Sequence, residues 1–177
     1  MLERYPVRAH VTWTEKHERG GQVSSRRREE RWLKTGASAW EVVTHDVGGG
    51  SPFRARYALL PDGALAQVAV FEGEVELRVE PPKIVLPSSA RPGTTWGGEH
   101  RIGKHSSRRD CRLVAYADCA QGIEERCTTS FEDGRTVEVN NKWCGGVGQI
   151  GYSSITRARG TEAIVKIWSE ELTDVRD

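Results

Sequence analysis

The sequence contains no apolar run near the roughly 20 residues that a membrane-spanning helix requires. Its first ten residues also lack the apolar segment of a signal peptide. Lysine and arginine total 26 against 25 for aspartate and glutamate, so the net charge is +1 and no overall field attracts nucleic acid. The chain as given therefore predicts a soluble domain, and any charged site on it must be local.

Patterns typical of catalysis are missing as well. No Gly-x-Ser-x-Gly elbow is present, and no cysteine lies in a reactive-looking context. His100 and His105 lie near Glu99 and Cys111 in sequence, but their odd spacing places them on opposite strand faces or across a turn. We therefore expect no enzyme activity, no catalytic residues, no metal and no cofactor.

Cysteine is absent from the first 110 residues, yet four cysteines crowd into residues 111–144. Such clustering indicates disulfides or a metal site. The spacing contains no C-x2-C pair of the kind that structural zinc sites use, so disulfides in an oxidising compartment are favoured over free buried thiols or a metal.

Alternation of apolar and polar residues with period two is the recurring signal, because successive side chains of a strand point to opposite faces. Val11 and Trp13 face one way, whereas Thr12 and Thr14 face the other. At 177 residues the chain suits one antiparallel β domain over 1–177. We expect an all-β fold with little helix, a strongly curved antiparallel sheet or open β-barrel of about 11–12 strands, with a two-sheet sandwich as the alternative.

The individual strands can be placed from the same signal. In the first half they are predicted at 53–59, 65–71 and 75–79, and Pro81-Pro82 is interpreted as punctuation between two halves of one sheet. In the second half they are predicted at 94–103, 107–117, 122–132, 135–144, 149–158 and 162–171.

These hairpins constrain the disulfide pairing. If strands 107–117 and 122–132 turn about Cys119, Cys111 lies directly opposite Cys127, within bridging range. The next hairpin, at Asp133-Gly134, returns Cys144 to the loop that carries Cys119. The predicted pairs are therefore Cys111 with Cys127 and Cys119 with Cys144.

The segment 20–34 is polar on both faces and includes the run Arg26–Arg31. A strand of weakly specified register is predicted, with a short helix as the competing structure. This run, with Arg108 and Arg109, has the chemistry to bind phosphates or lipid head groups, but cross-strand ion pairs are the favoured use. Trp32 and Trp40 flank the run, yet the near-neutral net charge argues against nucleic-acid binding.

Residues 86–154 contain two short motifs built on tryptophan and glycine. Pro92-Gly93-Thr94-Thr95-Trp96 forms a Pro-Gly-x-x-Trp strand start, and Trp143 precedes Gly146-Val147-Gly148. This combination resembles poorly characterised bacterial cell-envelope proteins, periplasmic proteins or lipoproteins distantly similar to the lipoprotein carriers LolA and LolB. The resemblance implies a curved antiparallel sheet and an exported location in the periplasm or at the outer membrane, but no reaction. It also implies a leader or lipid anchor outside the given chain, with Met1 in place of the removed segment.

Six tryptophans are many beside three phenylalanines. One hypothesis is that aromatic side chains line the concavity of the curved sheet and bind a lipid or another apolar or amphipathic ligand there. The candidate wall residues are Trp13, Trp40, Tyr57, Phe71, Trp96 and Trp143. The alternative is a structural or interaction module with a filled core, which joins an envelope protein assembly through an edge strand or the arginine patch.

Overall fold

The computed structural model describes residues 10–19, 22–47, 52–159 and 164–176. Side chains are described throughout these ranges except at Arg19 and 164–176. The remaining parts of the predicted domain, the first residues of its last predicted strand and the side chain of Trp168 lie outside this description.

Twelve strands follow one another along the described part of the chain. The strands are β1 His10–Arg19, β2 Gln22–Gly36, β3 Ala39–Asp46, β4 Phe53–Leu59, β5 Leu65–Glu72, β6 Val75–Leu86, β7 Thr95–Ile102, β8 His105–Ala115, β9 Ile123–Phe131, β10 Thr136–Cys144, β11 Gly148–Arg157 and β12 Ile164–Arg176. Buried and exposed side chains alternate most clearly along β8 and β9, whereas β2 has no buried residue.

The strands form one antiparallel meander in which each strand pairs with its neighbours in sequence. The predicted all-β fold, a strongly curved antiparallel sheet of 11–12 strands, is confirmed. β1 also pairs with β12, from His10 opposite Arg176 to Glu18 opposite Ile167, so the two outer strands meet and the ladder closes into a barrel. The buried side chains of the strands whose side chains are described therefore point into the barrel.

Two segments clarify choices that the sequence left open. Residues 22–36 form a strand, not a helix, because each residue from Gln22 to Arg31 lies opposite a residue of β1. Pro81-Pro82 does not end β6, which continues to Leu86. β6 and β7 pair only at Val79 and Glu80, so the prolines lie where no β7 partner requires their missing N–H groups.

The apolar core lies at one end of the barrel. Its buried members come from the ends of strands beside the β4–β5, β6–β7, β8–β9 and β10–β11 connections. The loop between β6 and β7 closes this end, since Ala90 is buried in the core and the Gly93 N–H donates to the Leu113 carbonyl at 2.8 Å. The core residues are Leu65, Leu86, Ala90, Leu113, Ile123 and Trp143.

Both predicted disulfides are present. Cys111 lies directly opposite Cys127 across β8 and β9, with the Cα atoms 4.1 Å apart, and Cys119 is bonded to Cys144. The four cysteines are all paired, which indicates an oxidising compartment. The second disulfide ties the β8–β9 loop to the end of β10, at the same end of the barrel as the apolar core.

We predict that Leu113→Ala lowers the free energy of unfolding by about 3 kcal/mol, because Leu113 is 1% exposed and a cavity would remain. Val75→Ala is the matched control, since Val75 is 62% exposed and should change stability by less than about 0.5 kcal/mol. Urea unfolding of both variants measures the difference. Equal losses would contradict the assignment of Leu113 to the core.

Candidate functional site

A charged cluster lies inside the barrel beside the Cys111–Cys127 disulfide. Arg109 is 8% exposed, and its guanidinium donates to Glu125 at 2.7 Å and lies 3.1 Å from each of the two sulfur atoms. Glu125 is fully buried and accepts a second hydrogen bond from the Asn141 amide. Both lone-pair sides of the carboxylate are thus satisfied, as a buried charge requires.

Lys83 adds a second cationic side chain to this cluster. Burial, together with the charge of Arg109, lowers the pKa of the Lys83 ammonium to about 7, although Glu125 acts in the opposite direction. Burial likewise raises the pKa of the Glu125 carboxyl above its ordinary 4.5, although Arg109, Asn141 and Lys83 favour the charged form. Perturbed groups of this kind occur both in active sites and in structural ion-pair networks.

A second buried carboxylate lies towards the opposite end of the barrel. Glu15 of β1 is fully buried, and its carboxylate pairs with the Arg26 guanidinium. Nitrogen atoms of Arg28 and His17 lie 3.2 and 2.8 Å from the same carboxylate. Burial raises the pKa of the Glu15 carboxyl, but these partners outweigh burial and hold the pKa below 4.5. Arg26 also pairs with Asp46 at 2.6 Å, so the basic run of β2 forms cross-strand ion pairs as the sequence favoured.

The structure brings four of the predicted wall residues together. Trp143 belongs to the apolar core, and Trp40, Tyr57 and Trp96 pack against it. The Tyr57 ring also lies 5.0 Å from that of Trp32, and burial raises the pKa of the Tyr57 hydroxyl. These aromatic side chains therefore surround packed aliphatic residues at one end of the barrel.

The two other predicted wall residues lie elsewhere. Trp13 is buried on β1, opposite Arg28, and is not a member of the core cluster. The prediction that Phe71 lines the interior together with Tyr57 is wrong. Bulges in the pairing of β5 with β4 and β6 change which residues of β5 point inward, so Phe71 points outward. Phe71 lies on the outer face, where the Arg54 guanidinium carbon is 4.5 Å from its ring centroid.

The histidines and cysteines considered as metal ligands do not converge. His100 is buried and makes a 3.0 Å hydrogen bond with the Pro81 carbonyl oxygen, whereas His105 is exposed at the start of β8. Among the described residues, Cys111, Glu125 and Cys127 form a group with metal-ligand spacing. Both sulfur atoms belong to the disulfide, so they provide no thiolate to a cation.

A groove of about 600 Å³ lies on the outer face of β7–β10, behind the disulfide. Thr95, Arg112, Arg126 and Asn140 are opposite one another on successive strands and form one row across it. A second row consists of Gly97, Asp110, Thr128 and Glu138. A Cβ atom at Gly97 would lie 2.5 Å from the Arg109 carbonyl oxygen, a backbone atom that cannot move aside, so this close approach requires glycine.

Charged groups in the groove differ in whether they have partners. Arg126 donates to Glu124 at 2.6 and 2.9 Å, Asp110 pairs with Arg108 at 3.1 Å, and Glu138 pairs with Arg157 at 3.1 Å. The Arg112 side chain makes no hydrogen bond or ion pair with any residue in the described part of the chain, and its neighbour on β9 is the like-charged Arg126. The groove therefore presents one exposed guanidinium without a counter-ion.

No protein-family model, curated protein or solved structure matches the chain. The resemblance to envelope proteins thus stays a prediction. Among the described residues, no helix has the length and apolar character needed to cross a membrane.

Sequence reasoning did not identify Lys83, Glu15, Arg112 or the pair of Arg109 with Glu125. A signal existed for the pair, because Arg109 alternates in phase with Cys111 and Leu113, and Glu125 with Ile123 and Cys127. Opposite charges at core-facing positions of neighbouring strands indicate a buried ion pair. No comparable signal existed for Lys83, since its face depends on irregularities in the β5–β6 ladder.

We predict that Glu15→Gln and Glu125→Gln change the pH dependence of stability in opposite directions. The folded pKa of Glu15 is lowered, so its stabilisation is present above about pH 4.5 and is lost as the pH falls. The folded pKa of Glu125 is raised, so its contribution is present below about pH 4.5 and is lost as the pH rises.

Urea unfolding at several pH values should therefore show the wild-type advantage over Glu15→Gln shrinking on acidification. On acidification the free energy of unfolding of wild type relative to Glu125→Gln should instead increase. Both changes should be on the order of 1 kcal/mol. Parallel pH profiles for the two variants would contradict the assigned environments.

We predict that Lys83→Met removes a rise in stability between about pH 7 and 10. The folded pKa is below the unfolded value of 10.5, so the cost of the buried ammonium disappears as the pH rises through this interval. Wild type should gain about 1–2 kcal/mol relative to Lys83→Met between about pH 7 and 9.5, measured by urea unfolding. Lys142→Met, where the amine lies 5.1 Å from the Tyr116 ring centroid, is the control and should show no such gain.

Proposed function

We propose that the chain is a non-enzymatic interaction module of an oxidising, exported compartment, either the periplasm or the outer-membrane surface. Its packed barrel serves as a scaffold, and its partner binds on the outside. The observation that carries this proposal is the position of Trp40, Tyr57, Trp96 and Trp143 around a buried aliphatic core. Because these side chains pack against one another, they do not form an apolar wall that a ligand could contact at that end of the barrel.

Charged groups in the interior beyond this core support the same proposal. Lys83, Arg109 and Glu125 lie inside the barrel, and Glu15 with its arginine partners lies further along. A lipid chain placed against these groups would separate charges from their partners or from water, at a cost of several kcal/mol. A lipid carrier, the other prediction from the sequence, would need an apolar lining there.

The absence of a reaction is part of the proposal. Lys83 and Glu125 have the perturbed pKa values that acid–base catalysis uses, but Glu125 is buried against Arg109 and the half-buried Lys83 is affected by the charges of both. Their partners are side chains of the same network, as in structural ion-pair clusters. The disulfide next to them holds both sulfur atoms in an unreactive, oxidised state.

Mass spectrometry of the exported protein tests this proposal. We expect the native mass to equal the mass after denaturation without reductant, with no component released, and reduction to add the four hydrogens of two disulfides. A lipid that co-purifies and dissociates on denaturation would contradict the proposal.

A stability measurement gives a second, independent readout. In a filled core, Trp143→Ala should cost about 3–5 kcal/mol, because the large side chain is 4% exposed and cannot be replaced by neighbours. A loss below about 1 kcal/mol would indicate that Trp143 lines open space, and would favour a ligand cavity instead.

A further inference from the structure

We propose that the outer groove binds an acidic sugar, a saccharide unit that carries a carboxylate, and that Arg112 holds the carboxylate. This inference rests on the proposed function, since it names the ligand class for a surface outside the barrel. Four observations carry it: the volume of the groove, the unpaired charge of Arg112, the polar lining on both sides, and the rigid floor.

The volume is large enough for a specific ligand. Cavities that bind small molecules measure roughly 300–1,000 Å³, and the groove encloses about 600 Å³. Its lining consists mainly of outward-facing side chains of β7–β10. Because these strands are paired throughout and the Cys111–Cys127 disulfide joins the two central ones, the groove exists before a ligand arrives.

Charge selects the anionic part of the ligand. Arg112 and Arg126 are opposite each other on neighbouring strands, an arrangement that is unfavourable without an anion between or beside them. Glu124 already pairs with Arg126, so Arg112 is the free cation among the described groove residues. A planar guanidinium binds a carboxylate through two parallel hydrogen bonds.

The flanking groups select hydroxyls rather than an apolar chain. Thr95, Thr128 and Asn140 provide donors and acceptors, and the carboxylates of Asp110 and Glu138 provide further acceptors. A sugar hydroxyl both donates and accepts, so a saccharide satisfies both kinds of group. A fatty acid would leave the two carboxylates facing hydrocarbon, and an inorganic anion would leave them facing a like charge.

Titration calorimetry on the full chain with both disulfides intact tests the inference. The probes are digalacturonate, its dimethyl ester, which keeps the hydroxyls without the charge, and inorganic sulfate, which has charge without the hydroxyls. We expect digalacturonate to bind, the ester and sulfate to bind at least about tenfold more weakly, and added salt to weaken digalacturonate.

The variant Arg112→Gln should weaken digalacturonate by about 10- to 100-fold. Arg78→Gln is the matched control, because Arg78 is an exposed arginine of β6 that lies outside the groove, and its affinity should equal that of wild type. Arg112→Glu should abolish binding while its melting temperature is no lower than that of wild type, since it creates an opposite-charge pair with Arg126. Loss of binding in that variant therefore does not reflect unfolding.

Three results would overturn the inference: no heat with digalacturonate, equal affinity for the ester, or equal affinity of wild type and Arg112→Gln. Equal affinity for sulfate would show a general anion site and overturn the saccharide assignment. These outcomes are distinct from failure of the proposed function, which is decided by whether a lipid co-purifies with the protein and by the cost of Trp143→Ala.

Discussion

The register between β8 and β9 determines which side chains of these two strands reach the barrel interior. Cys111 and Cys127 are directly opposite each other and covalently joined, so this register cannot slip. A shift of one residue would turn Leu113 out of the core and expose Arg109 and Glu125 to solvent. The core, the buried ion pair and the outer groove all depend on this single alignment, because the same two strands contribute to each of them.

The interior has an apolar core at one end and, further along, charged groups among other apolar side chains such as Trp13 and Val42. This distribution has a physical reason. Each antiparallel strand places every second residue inside, and a barrel of twelve strands has more inward positions than the six buried core residues occupy. The remaining interior contains Arg109 with Glu125 and Glu15 with its arginines, each carboxylate satisfied by more than one donor. Such pairs contribute little net stability, but removal of one partner would leave a charge buried and uncompensated.

Much of the fold could be predicted from the sequence, because period-two alternation and turn residues are local signals. The β8–β9 hairpin turns symmetrically about Cys119, so simple counting placed Cys111 opposite Cys127. Counting failed where the pairing of strands is irregular. Bulges next to Gln67 turn Phe71 to the outer face. β6 continues past Pro81 because its pairing with β7 ends at Glu80. The groove could not be predicted, since it depends on which of several arginines lacks a counter-ion after folding.

The ion pairs on the outer face give the unpaired Arg112 its significance. Arg54 with Glu41, Arg101 with Glu80 and Arg157 with Glu138 each join oppositely charged side chains on neighbouring strands. Each of these pairs contributes a few tenths of a kcal/mol to the free energy of unfolding. Arg112 opposite Arg126 departs from that rule inside the groove. A site that binds an anion must keep a cation without an internal partner, because an internal carboxylate would compete with the ligand for the same guanidinium. The small loss of stability at this pair is therefore the expected consequence of leaving Arg112 available for binding.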